Sequence, residues 1–416
     1  MAEKNPQHSR AFETIAWNFK LLAHHELAGF GGVGEGMSIQ IAKDGRRILW
    51  LAHERAPKNF TAVDVSEPRN PKLVVQTDLP ESFMRSNSLE VVGNLMAVAY
   101  QTQQPGQRPA GLELFDISNP EKPKSVSFFD ASGRHSRGVH QLWFCDGETI
   151  HMSAGSADFT PHNQLDDQFY RIIDVRNPSK PVEAGRWWMP GTREGDREPP
   201  PVRHKPPLQD MGFRAHNTNV YSQRPDRCYL GYIDAGMFIL DISDKSAIKP
   251  LCRWDNSPPY HGFAHTVLPL FERNLLVMTD ESVVDDAGDW PKLVWILDAR
   301  EETNPVPIAT CPAPGFDDFA HRGGRFGAHN IHENVPLPTA WQSDQIIIGT
   351  FFNAGLRAYD ISNPYQPREI ATFVPPPPPL APRGTIQLND VFVDEREVVY
   401  TVDRHVGGLY ILEMDF

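Results

Sequence analysis

Apolar residues fall in short runs along this chain, and clusters of Gly, Pro, Asn, Asp and Ser separate them. Runs such as NLMAVAY (94–100), RCYLGYI (227–233), NLLVMTD (274–280), QIIIGTF (345–351) and EVVYTVD (397–403) are rich in β-branched and aromatic residues. Helical periodicity is scarce, and 38 prolines punctuate the chain. This pattern predicts an all-β fold of short strands joined by many turns.

The turns repeat. A strand ending in Asp, then Ile or Val, runs into a small turn and a proline. The instances are VDVSEPRNP at Asp64, FDISNPEKP at Asp116, IDVRNPSKP at Asp174, LDISDKSAIKP at Asp241, LDAREETNP at Asp298 and YDISNPYQP at Asp360. Glu413 takes the same place in the closing YILEMDF, and successive positions lie 52 to 67 residues apart. An Asp side chain bonds to backbone two residues on, and Pro pre-sets φ for the turn. Each turn therefore joins two antiparallel strands, C and D, and strands A and B precede them. Four short strands per unit make a propeller blade. The sequence holds seven A–B–C sets but only six following D strands. FKLLAHHEL (19–27) supplies the missing one. The expected fold is a single domain over 1–416, a seven-bladed β-propeller. Residues 18–28 close the ring by completing the last blade, and 1–17 form an N-terminal extension.

Such DISNP-type turns after apolar strands resemble those of the LVIVD-repeat β-propeller proteins. The resemblance runs over nearly the whole chain and implies the propeller fold. It implies no activity, because a fold alone carries no chemistry.

Four of the sixteen histidines stand in similar settings: RGVHQLW at His140, RAHNTNV at His216, FAHTVLP at His265 and FGAHNIHE at His329. Each lies at or just before the start of a strand A, the innermost strand of its blade. Four consecutive blades thus aim four imidazoles at one point on the axis. Ser38 or Gln40, Ser88, and Asn389 or Asp390 hold the comparable places in the other blades. Four neutral imidazoles crowded without a cation waste their lone pairs, and a protonated cluster repels itself. A divalent metal ion is expected, Fe²⁺ first and Zn²⁺ or Mn²⁺ next. His332 is left out because residues three apart on a strand face opposite sides.

The loops between strands B and C open on the same mouth. They bring His53, Glu54 and Arg55, then Asp280 and Glu281, then Asp403, Arg404 and His405. Glu281 and Glu54 are expected to accept the second ring N–H of a ligand histidine, with general base as Glu281's other role. His405 and His53 are candidates for proton transfer, and Arg404 for holding an anionic group on the substrate. For any single one of these, a plain solvent-facing loop residue is the simpler account.

Net charge is −13, which argues against nucleic acid or anionic lipid as partner. No stretch approaches the ~18 apolar residues of a membrane span, so a soluble, cytoplasmic protein is expected, its oligomeric state left open. Cys145, Cys228, Cys252 and Cys311 are far apart and form no CxxC, so they are read as small buried hydrophobes. Nucleophile-elbow, Walker, dinucleotide and HExxH motifs are absent. GFGGVGEG (29–36) is read as a flexible loop entering the first blade.

The function expected is that of a metal-dependent enzyme on a small, possibly aromatic organic substrate. Oxidative, oxygenase-like chemistry stands slightly ahead. The carotenoid-cleaving oxygenases are similar in one respect, four histidines drawn from a seven-bladed propeller. The alternatives are a zinc-type hydrolase or lyase using metal-bound water, and a non-catalytic scaffold for protein partners.

Overall fold

The computed structural model describes residues 13–29 and 32–416. Strands dominate it; among the described residues the one α-helix is the single turn Phe316–Phe319. Among the described residues no helix is long and apolar enough to cross a membrane. The sheets are antiparallel and local in sequence. Val139–Phe144, Thr149–Ala154, Phe169–Asp174 and Val182–Trp187 form one, in chain order. Thr218–Asn219, Arg227–Gly231, Met237–Asp241 and Lys249–Trp254 form the next, and Ala264–Leu270, Leu275–Asp280, Val294–Asp298 and Val306–Thr310 another. Nearer the N-terminus, the units Val33–Asp78 and Met84–Asp130 are joined by one pairing, His53 with Ser86.

The two ends of the chain meet. Phe19–His25 runs antiparallel to Leu409–Met414, beside Val398–Asp403 and Leu388–Val393. Ile15–Trp17, expected in an extension, is itself a strand and adds to the edge of Arg368–Val374. Residues 1–12 lie outside the described residues.

The repeated Asp explains why the units look alike. In all six turns its Oδ1 accepts the backbone N–H two residues on, at 2.8–3.0 Å: Ser66 on Asp64, Ser118 on Asp116, Arg176 on Asp174, Ser243 on Asp241, Arg300 on Asp298 and Ser362 on Asp360. The bond closes the turn locally, so it forms wherever the motif occurs. Burial then falls outward across each unit. Ala264–Leu270 is buried throughout, whereas the outer strand Lys72–Asp78 is half-buried or exposed. The inner strands pack on one another: Val33–Ile41 on Met84–Val92, that strand on Val139–Phe144, and Leu388–Val393 back on Val33–Ile41. All four cysteines are free; three are buried and Cys145 is half-buried.

The inner strands share an irregularity at their starts. Pairing slips between Val33 and Met37, between Arg85 and Ser88, between Val139 and Gln141, between Ala264 and Val267, and between Leu388 and Asp390. A bulge frees a residue from strict alternation and re-aims its side chain. Glu35, His140, His265 and Asn389 all sit inside these slips.

The GFGGVGEG stretch is not a flexible entry loop. Val33–Ile41 is a strand, buried from Val33 to Gln40; Phe30 and Gly31 lie outside the described residues. A Cβ on Gly34 would fall 2.4 Å from the Asn87 carbonyl oxygen, and one on Gly36 2.3 Å from the Leu89 nitrogen. The glycines let this strand approach Met84–Val92 more closely than any side chain permits.

Deleting residues 1–28 removes the pairing with Leu409–Met414 and the buried Phe19 and Leu27. The melting temperature is expected to fall by about 5 °C or more. An unchanged melting curve would show that these strands do not hold the ends together.

Candidate metal centre

His140, His216, His265 and His329 come from four successive sheets or their inner segments, and their rings meet. Ring centroids lie 4.5 Å apart for His140 and His216, 4.0 Å for His216 and His265, and 4.7 Å for His265 and His329. The last three rings are buried, and His140 is half-buried. Each turns Nε2 inward and fixes Nδ1 outside. His216 Nδ1 meets Asn217 Oδ1 at 2.8 Å, His265 Nδ1 meets Thr266 Oγ1 at 2.8 Å, and His329 Nδ1 meets the Asn389 carbonyl at 2.6 Å. His140 Nδ1 lies between Gln101 Oε1 at 3.1 Å and Arg85 Nη2 at 3.2 Å. A carbonyl only accepts, so His329 carries a proton on Nδ1, and its Nε2 faces the cluster.

Two carboxylates enter the same space. Glu35 Oε2 lies 3.6 Å from His265 Nε2 and 3.9 Å from His216 Nε2, and its Oε1 lies 3.5 Å from His329 Nε2. Glu281 Oε1 is 3.6 Å from His329 Nε2, and its Oε2 is 3.9 Å from His216 and 4.0 Å from His265. His140 Nε2 and His216 Nε2 are 2.8 Å apart. Two ring nitrogens at that distance must share one proton or face one cation. Nε2 of His265, Nε2 of His329 and Oε2 of Glu35 are buried without a hydrogen-bond partner. Buried polar atoms left without a partner are costly.

Three groups among the described residues have the make-up and spacing to hold an ion: Glu35 with His265 and His329, Glu35 with His140 and His216, and Glu281 with His216 and His265. Each is two imidazoles and one carboxylate. Donors bound at about 2.1 Å around an octahedron lie about 3.0 Å apart when adjacent and about 4.2 Å when opposite. The contacts above, from 2.8 to 4.0 Å, sit close to that range. Charge agrees. Burial works to raise both carboxyls, yet the His265 and His329 imidazoles hold Glu35 well below the usual range. His329 and Arg325 likewise hold Glu281 down, to about 2. Burial, with His265 beside it, lowers His216 to about 4.

The structure divides the other expected residues. Glu281 is in the cluster, but on the Nε2 side, so it accepts no second ring N–H; Asn217 Oδ1 and the Asn389 carbonyl fill that role, and the Thr266 hydroxyl meets His265 Nδ1. Glu54 does not touch an imidazole either. It takes Arg85 at 2.5 Å and Arg404 at 2.6 Å. Arg404 also donates to Asn389 Oδ1 at 3.1 Å, which makes it a brace between the rim and the layer behind His329. His53 is fully buried inside its sheet, with Nε2 on Thr61 Oγ1 at 2.7 Å, and burial lowers it to about 3. His405 Nδ1 meets Arg55, and burial together with Arg55 lowers it to about 4. Neither of these two rings is among the converging donors. Ser38, Gln40 and Ser88 bond between neighbouring units. His332 is held by Trp341 and Val393.

Glu35 and Arg325 are the residues that sequence reasoning missed. Arg325 donates to Glu281 Oε1 at 2.7 Å. The usable signal for Glu35 was an acidic residue flanked by glycines, Gly34 and Gly36, at the head of an apolar run. Phe263 and Phe352 flank the cluster, at 5.9 Å from His216 and 4.6 Å from His329. Both hold positive φ, 71° and 45°, a strained backbone for aromatic residues.

The LVIVD repeat is matched at residues 167–188 and 228–250. The chain is similar in structure to the β-propeller domain of Cps50 (Swd1) from Myceliophteria thermophila. The TM-score is 0.54 at 10% sequence identity, over 91% of this chain and 96% of that one. No curated protein is significantly similar to the chain. The chain is therefore a β-propeller that carries LVIVD repeats.

Proposed function

We propose that this protein is a metal-dependent enzyme whose ion sits on the axis of a seven-bladed ring, closed by Phe19–His25 against the last blade. The pairing of Phe19–His25 with Leu409–Met414 and the return of Leu388–Val393 to Val33–Ile41 support the closed ring. One observation carries the metal: His265 Nε2, His329 Nε2 and Glu35 Oε2 are buried, unpartnered and turned to one point. Imidazoles of His140, His216, His265 and His329 with the Glu35 carboxylate among them suit Fe²⁺ and oxygenase chemistry, with Zn²⁺ or Mn²⁺ as the next ions. Such an ion, when bound, activates dioxygen or water.

The chain's own residues supply the rest. Asn217 Oδ1 and the Asn389 carbonyl fix the tautomers of His216 and His329, and Thr266 orients His265. Glu281, held ionised against Arg325, is placed to take a proton from a group at the centre. Phe263 and Phe352 keep water from the buried side and offer an apolar wall to a small, partly aromatic substrate. Glu281 beside the ion also favours a second reading, hydrolysis or elimination through metal-bound water, for which an adjacent carboxylate is the natural base.

Elemental analysis of tag-free protein is expected to find close to one iron per chain. His265→Ala and Glu35→Gln should each lower metal content about tenfold or more, while Glu413→Gln on the far rim should not change it. Protein without metal, its melting unaltered by chelators, would remove the proposal and leave a scaffold. Glu281→Gln is expected to keep most of the iron while lowering oxygen uptake with substrate about tenfold or more. Parallel losses of iron and uptake would make Glu281 a ligand instead of a base. Turnover that survives without oxygen would favour the hydrolytic reading.

A further inference from the structure

The chain carries a net charge of −13, yet guanidinium groups crowd the rim beside His140. Arg85 and Arg404 share the single carboxylate of Glu54. Arg137 and Arg214 share Asp167, at 2.5 and 3.4 Å. Arg55 is exposed, and its guanidinium meets the His405 ring. Three of these guanidiniums, Arg55, Arg85 and Arg137, line one cavity in which Glu54 is the one carboxylate among the lining residues.

A cavity of about 290 Å³ opens among them, lined by Arg55, Arg85, Arg137, Gln101, Gln103 and Glu54 with their neighbours. Its wall reaches the metal centre directly, because Arg85 and Gln101 both contact His140 Nδ1. His140 is also the one imidazole of the four with solvent access. The cavity is at the small end of the range for small-molecule sites. Arginine forks pair in two-point fashion with planar or tetrahedral oxyanions, and sharing one acid between two arginines leaves N–H groups with room for another acceptor.

We infer that this cavity binds the oxyanion of a small molecule, a carboxylate or a phosphate, between Arg55, Arg85 and Arg137. It holds the body of that molecule against the His140 side of the metal centre. The inference takes its chemical meaning from the metal reading above, but the binding itself is separable from it. Local positive potential in an acidic protein also draws such an anion to this mouth and away from the remaining surface.

The test is calorimetric titration of the full chain with benzoate, inorganic phosphate and, as the neutral isostere, benzamide. It is run on metal-loaded and on chelator-treated protein. At least one anion should bind where benzamide does not, and the stronger of the two identifies the source of the oxyanion. Arg55→Gln, an exposed position that leaves the fold intact, should weaken that anion about tenfold, and Arg85→Gln by at least as much. Higher salt should weaken it further. Anion binding that survives chelation and depends on Arg55 sustains the inference even if metal content proves to be nil. Equal binding of benzamide, no anion binding at all, or affinity indifferent to both substitutions overturns it. Anion binding that disappears with the metal and ignores Arg55 places the anion on the metal and overturns it as well.

Discussion

The close approach of neighbouring inner strands is the constraint on which the rest depends. Val33–Ile41 lies against Met84–Val92 with Gly34 and Gly36 at distances that exclude any Cβ. Only that approach brings Glu35 to the imidazoles of the opposite units. Were the strands held apart by side chains, the carboxylate would stop short of His265 and His329. A chain of ordinary turns, each closed by an Asp two residues before the N–H it accepts, delivers the strands. The glycines and the bulges decide what those strands point at.

The bulges matter because regular strands would scatter these side chains between two faces. Slips at Val139/Gln141, Ala264/Val267 and Leu388/Asp390 bracket His140, His265 and Asn389. His216 and His329 reach the same point by another route. They precede or interrupt the ladder, in extended segments tied by single bonds such as His216 N–H to Gly231 and His329 N–H to Thr350. The fold thus gives up sheet regularity where these side chains converge. Strained Phe263 and Phe352 belong to the same trade of local comfort for placement.

Electrostatics divides the mouth into two layers. The inner layer gathers two carboxylates and four imidazoles. The outer layer gathers arginines around Glu54 and Asp167. Glu54 stands between them, bonded to Arg85 on one side and Arg404 on the other. Arg404 passes that link to Asn389, whose carbonyl orients His329. A ligand settling among the arginines therefore touches the same connected set of bonds that fixes the ring nitrogens.

The amino-acid sequence by itself determined the turns and the strands, because both rest on contacts within a few residues. It determined the four histidines as a set, because equivalent places in repeated units must become equivalent places in space. Tertiary structure alone decided which polar loop residues join them. Glu281 and Glu54 follow similar strands in similar loops, yet one enters the cluster and the other braces arginines. His53 and His405 are equally plausible on paper, and packing turns both rings elsewhere. Glu35 was hidden in a glycine-rich stretch whose meaning depends on a neighbour some fifty residues away. Local bonding repeats wherever its motif does, whereas the partners of a side chain at the inner edge of these sheets are set by strands far away along the chain.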